Sequence, residues 1–143
     1  MIAYLQNSLS DYKPIIDIRL SGDEGFDSDG SGGISLRGLV DTGSTDVVIP
    51  HQLASQLTLT PHEMCTTWSI GTTAQEMPCY KTAIGFDLVK PEGGLFRYTV
   101  NNLNTLIRDI PPSYDFIIPM NAFETLELEF KLNQLFEIRL MAI

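Results

Sequence analysis

A chain of 143 residues, 43% apolar and 19% charged, fits one globular domain over 1–143, long enough to bury about two-thirds of its unfolded surface. Its formal charge of −9 turns the phosphate attraction behind nucleic-acid binding into repulsion, which sets that partner class aside. No run of about 18 apolar residues occurs and the N-terminus lacks a basic start, so no membrane association is expected.

From Lys13 the chain alternates Ile16, Ile18 and Leu20 against Asp17 and Arg19, the period-2 mark of a half-buried strand, and breaks at Ser21-Gly22. Between Gly22 and Gly33 lie five glycines and four acids, a composition that predicts a mobile, solvated loop. Its acids do not follow the calcium-loop order: with Asp27 and Asp29 at the third and fifth positions, Gly25 would be first and Leu36 twelfth. A second strand, Ile34 to Val40, runs into Asp41-Thr42-Gly43-Ser44, and a third follows at Val47 to Ile49. Pro50 closes it and opens a short helix ending near Thr58.

Thr66 to Ile70 and Met77 to Phe86 predict a hairpin around the polar turn Gly71-Thr72-Thr73-Ala74. With the turn centred near residue 72, Cys65 and Cys79 fall almost opposite each other, and a disulfide between them depends on register. Two cysteines are too few for a disulfide scaffold, which favours a reduced, cytoplasmic setting. His62-x-x-Cys65 has no second pair of ligands to complete a zinc site, so no metal or other cofactor is expected. Leu95 to Val100 predicts a strand, Asn101-Asn-Leu-Asn-Thr105 a turn, and Tyr114 to Ile118 a fully buried strand. Pro119 suits the start of a short helix, Met120 to about Leu126. Leu128 to Phe130 and Leu135 to Leu140 form a last hairpin across Lys131 to Gln134. Many short strands and one or two brief helices make an all-β, closed, barrel-like domain.

The stretch Gly38-Leu-Val-Asp41-Thr-Gly-Ser44-Thr-Asp46-Val-Val-Ile-Pro50 sets one carboxylate between two apolar runs. A lone carboxylate enclosed there costs several kcal/mol in desolvation unless it is paired, protonated or hydrogen-bonded. Gly43 permits close backbone approach, and Thr42 and Ser44 bring hydroxyls within reach. The same four residues also suit an ordinary Asx turn, so the tetrapeptide alone decides little. Its context is more telling: Asp115-Phe116-Ile117-Ile118 and a short helix follow some seventy residues later in an all-β chain.

In this arrangement the chain resembles the retropepsin-like aspartic proteases, the single-domain relatives of pepsin. Lys13 to Leu20 is similar to that family's first long strand, Gly38 to Pro50 to its catalytic loop, Trp68 to Met77 to its flap hairpin, and Asp115 to Phe123 to its apolar motif and following helix. The resemblance implies an aspartic endopeptidase with Asp41, Thr42 and Gly43 as catalytic residues, and with Ser44, Asp46, Gly71, Thr72 and Thr73 binding peptide. Because the loop occurs once, it also implies a homodimer in which two Asp41 carboxylates meet across a twofold axis. The expected partner besides a second copy is a peptide or protein substrate.

The resemblance further implies that Thr42 locks the two loops together and that Ser44 donates to the outer oxygen of Asp41, favouring an acidic working range. Apolar lining from Val47, Ile49, Ile70 and Ile118 suggests a taste for hydrophobic side chains, while Trp68 is assigned to packing. Two departures stand together: Pro119 where the family usually has Gly, and Met120 where retroviral members carry a dimer-bracing Arg. They keep an alternative open, a retropepsin-fold dimerisation or peptide-binding module that cleaves poorly or not at all. A third possibility is an unrelated monomeric barrel in which Asp41 is only a turn residue.

Overall fold

The computed structural model of the protein describes residues 4–8, 13–67, 74–130 and 135–140. Among these residues the strands are β1 (Tyr4–Ser8), β2 (Ile15–Ser21), β3 (Ile34–Asp41), β4 (Val47–Ile49), β5 (Glu63–Thr67), β6 (Gln75–Val89), β7 (Leu95–Ile107), β8 (Phe116–Pro119), β9 (Leu126–Phe130) and β10 (Leu135–Leu140). Helix is confined to one turn, α1 (His51–Ala54), and a 3-10 turn at Met120–Phe123. Each begins after an extended proline, Pro50 or Pro119, at a position where no intrahelical N–H is called for. No helix among the described residues is long and apolar enough to cross a membrane.

Six strands close on themselves in the order β2-β3-β8-β4-β7-β6, with β6 returning to β2 through Arg19↔Gly85, Leu20↔Ile84 and Ser21↔Ala83. The expected closed all-β barrel is therefore formed. β8 pairs parallel with β3 and antiparallel with β4, so it lies between two strands that are neighbours in sequence. The segment from Asp41 to Asp46 must arch over the end of β8, which sets Asp41 level with Pro119. From the barrel, the same sheet extends beyond β6 through Tyr4↔Val89 into β1, β10 and β9. β1 had no signature in the sequence.

The interior is filled by alternate residues: Ile16, Ile18 and Leu20 from β2, Ile84, Phe86 and Leu88 from β6, and Phe116 and Ile118 from β8. Phe86 meets the ring of Phe123 at 5.6 Å between centroids. Each such side chain contributes about 1.5–3 kcal/mol on burial, against roughly 0–1 kcal/mol for an exposed ion pair, so this core and not surface charge holds the barrel. Gly38 on β3 lies under Ile118, where a Cβ would come within 2.5 Å of the Ile118 Cδ1. β8 can pack this close only across a glycine.

Two segments of the barrel wall and its loops differ from expectation. Asn101 to Thr105 is not a turn: β7 runs through it, and the register with β6 slips by one residue between Thr82 and Ile84. Asn101 and Asn102 together oppose Ala83 in a bulge, with Asn102 at φ 57°. Before the bulge the inward residues are Phe96, Tyr98 and Val100; after it they include Leu103 and Thr105. The acidic glycine-rich segment is not loose either. Arg19 donates to the carbonyls of Gly30 (2.6 Å) and Gly32 (2.9 Å), pairs with Asp87 at 3.0 Å and lies 4.9 Å from the centroid of the Phe26 ring.

The helix expected to reach Leu126 stops at Phe123, and Leu126 already belongs to β9. The predicted hairpin exists as β5 and β6, with Glu63 opposite Cys79 and Cys65 opposite Met77. The two cysteines are thus diagonal neighbours, 5.6 Å apart at Cα, and form a disulfide. Residues 68–73, with Trp68 and the expected tip Gly71, Thr72 and Thr73, lie outside the described residues, as does the Lys131 to Gln134 connection.

Candidate active site

Asp41 is the last residue of β3 and is half-buried. Its Oδ1 accepts the Gly43 N–H at 2.9 Å, and its backbone carbonyl accepts the Ser44 N–H at 3.1 Å. A Cβ on Gly43 would stand 3.3 Å from the same Oδ1, so what favours glycine here is the carboxylate's close approach and not an unusual φ. Met120 N–H donates to the Ser44 carbonyl at 2.9 Å, tying the loop to the 3-10 turn that follows β8. Pro119 is buried and extended, φ −78° and ψ 164°, a conformation a proline adopts without strain.

Ser44 differs from expectation. Its hydroxyl donates to the Asp46 carbonyl at 2.8 Å rather than to Asp41, because the loop turns back on itself before β4 and brings that carbonyl closer. It braces the loop and leaves the outer face of Asp41 open. Thr42 and Gly43 are exposed at the loop crest, and Asp46 is half-buried at its far end. Burial pushes the Asp46 carboxyl above the ordinary aspartate range, with the Lys81 charge pulling it back. Burial, reinforced by the Asp41 charge, also pushes the Tyr114 phenol up.

A cleft of about 400 Å³ joins Asp41, Gly43, Ser44 and Asp46 to Val48, Thr66, Leu106, Arg108 and Ile117. Such a volume is within the range of small-ligand sites. A larger hollow of about 640 Å³, between α1 and residues 109–115, has no part of the Asp41 loop on its wall. The apolar lining is not the one expected: Val47, Ile49 and Ile118 are fully buried in the core. Strand alternation hands the cleft wall to Val48 and Ile117, which oppose each other in the β4–β8 pairing. Leu106, Arg108 and Thr66 had no signal in the sequence that placed them here. Asp115, by contrast, fixes the approach of β8: it accepts the Arg37 N–H at 2.7 Å and donates its own N–H to the Arg37 carbonyl at 2.8 Å.

No family model and no curated protein matches the chain. Among solved structures, it is similar to that of a retropepsin-like aspartic protease from Rickettsia conorii, with a TM-score of 0.57 at 11% identity, over 98% of this chain and 92% of that one. The fold is retropepsin-like. The hairpin expected to be the flap is built on β5 and β6, and among the described strands β5 pairs with β6 alone. Thr66, on the flap, and Asp41, on the loop beneath, line one cleft.

Proposed function

We propose that the chain is a single retropepsin-like domain over 1–143 that acts as a homodimeric aspartic endopeptidase, in which Asp41 and the partner's Asp41 form the catalytic pair. The observation that carries this is the Asp41-Thr42-Gly43 loop on a cleft of a retropepsin-like barrel, its carboxylate held on one oxygen by Gly43 and its crest exposed. The Gly43 bond is also that of an Asx turn, so it supports either a catalytic or a plain turn residue. The cleft, the fold and the exposed Thr42 favour the catalytic one.

Two carboxylates about 3 Å apart cannot both ionise, so the pair shares one proton and titrates as a unit. The ionised member takes a proton from a water, and the neutral member donates one to the substrate carbonyl. Water then adds to the peptide bond with no covalent enzyme intermediate. Val48, Leu106 and Ile117 offer apolar contact to side chains flanking that bond, and Asp46 and Thr66 offer polar contacts to the peptide. With Ser44 committed to Asp46, an acidic working range rests on the shared proton alone.

Cleavage of a diverse peptide library between pH 3 and 7, alongside sedimentation, tests this. Wild type should cleave as a dimer and Asp41→Asn should not; equal cleavage by both, or activity in a strict monomer, would sink the proposal. A peptide-binding module that does not cleave is favoured by one observation: Met120 is 57% exposed and carries no charge where retroviral members carry a bracing Arg. Dimers that bind library peptides without cleaving any would select it.

A further inference from the structure

The flap hairpin holds a covalent bond that the proposed chemistry does not use. The Cys65–Cys79 disulfide closes a ring around residues 68–73. Its two ends are unlike: Cys79 on β6 is fully buried, whereas Cys65 on β5 is only half-buried. β5 has little else to hold it. It pairs only with β6 among the described strands, its Glu63, Met64 and Thr66 are exposed, and a five-residue, two-stranded ribbon is marginal in water. The backbone bond from His62 N–H to the Cys79 carbonyl, 2.8 Å, anchors only its entry. Thr66, next to Cys65, is the flap residue on the cleft wall that also carries Asp41.

We propose that the Cys65–Cys79 disulfide is a redox staple that fixes β5 over the cleft, so that reduction by a dithiol frees β5 and weakens peptide binding while the barrel is unaffected. The weakening of peptide binding rests on the endopeptidase reading; the freeing of β5 does not. Exposure decides the order of events. A thiolate of the dithiol attacks the accessible Cys65 Sγ, the Cys65–Cys79 bond breaks, and Cys79 leaves as a thiolate that takes up a proton. The second thiol of the reagent then displaces Cys65, closing the reagent into its own disulfide. Two electrons have passed to the protein, which now holds two thiols.

Hydrogen exchange on the full-length chain, before and after dithiothreitol, reads the first part directly. Exchange at residues 63–67 should accelerate at least tenfold on reduction, by order of magnitude, while residues 15–21 and 34–41 stay unchanged. Cys65→Ser should show the fast pattern from the outset and ignore dithiothreitol. Unchanged exchange at 63–67 in protein whose two thiols have been counted by alkylation would overturn the proposal. So would equal acceleration across the barrel, or two free thiols in unreduced protein. On a cleaved peptide, KM should rise about threefold or more in reduced protein and in Cys65→Ser, with kcat within about twofold; unchanged KM with a freed β5 overturns the binding half. A chain that cleaves nothing in either state defeats the endopeptidase reading, and the exchange result then judges the staple by itself.

Discussion

Two loops of this protein are written in the same alphabet and are held in opposite ways. Asp23 to Gly33 and Asp41 to Asp46 are both runs of Asp, Gly and Ser joining barrel strands. The first is gripped from outside: Arg19 reaches over from β2 to take two of its carbonyls, and Ser31 bonds both Asp27 and Asp29. Asp27 and Asp29 are thus spent on the loop's own structure. The second loop is held almost wholly by backbone and by Ser44, and its first carboxylate keeps an open face. Composition does not separate a structural loop from a reactive one; what the acids are bonded to does.

Removing one acid from the second loop should have the largest effect. Asp41→Asn should abolish peptidase activity, by at least ~10²–10⁴-fold if the pair acts in acid–base catalysis, with no loss of stability in urea. Gly43→Ala comes next: its Cβ crowds Asp41 Oδ1 at 3.3 Å, and displacing the carboxylate should lower kcat by about 10²-fold while the fold survives. The first loop should respond in the reverse sense. Asp87→Asn strips the part-buried Arg19 of its ion pair, a case between an exposed and a buried bridge, and should cost about 2 kcal/mol in urea unfolding with kcat unchanged. Gly33→Ala should cost about 1–2 kcal/mol in the same assay, since φ is +77° and a Cβ would meet Phe26 at 2.6 Å.

The smallest effect concerns pH. Burial holds the proton on Asp46 to higher pH in the folded chain than in the unfolded one, so the stability that the protonated form supplies is present at low pH. It is lost as pH rises from the ordinary aspartate range through the raised folded value. Asp46→Asn should flatten that decline and raise stability at neutral pH by less than about 0.5 kcal/mol after solvent screening, as read by thermal unfolding at pH 3, 5 and 7.

Strand alternation made most of the barrel legible in advance. β2 and β4 were readable because each keeps one phase of buried residues or is apolar throughout, and the Asp41 loop because it interrupts such runs. β7 was misread for the same reason. Val100 and Leu103 are three apart, a break in period 2 that predicts a turn but is here absorbed by one extra residue at Asn102. Which of Val47, Val48 and Ile49 faces the cleft was not readable, since all three are apolar and only the pairing with Ile117 selects Val48. The grip of Arg19 on residues 30 and 32 is a contact between segments, for which local sequence has no signal. The disulfide likewise waited on a hairpin register that the intervening turn sets.

β6 belongs at once to the barrel wall, the flap and the sheet of β1, β10 and β9. Its 15 residues span a contour of roughly 50 Å, with β5 at one end and Tyr4 opposite Val89 at the other. β7 runs beside it from Tyr80 to its last residue, Val89, whereas β2 touches it only from Ala83 to Gly85. At Ile84 and Gly85 the strand is paired on both edges, with β2 and with β7, so the barrel is closed through the same strand that carries β5 at one end and β1 at the other.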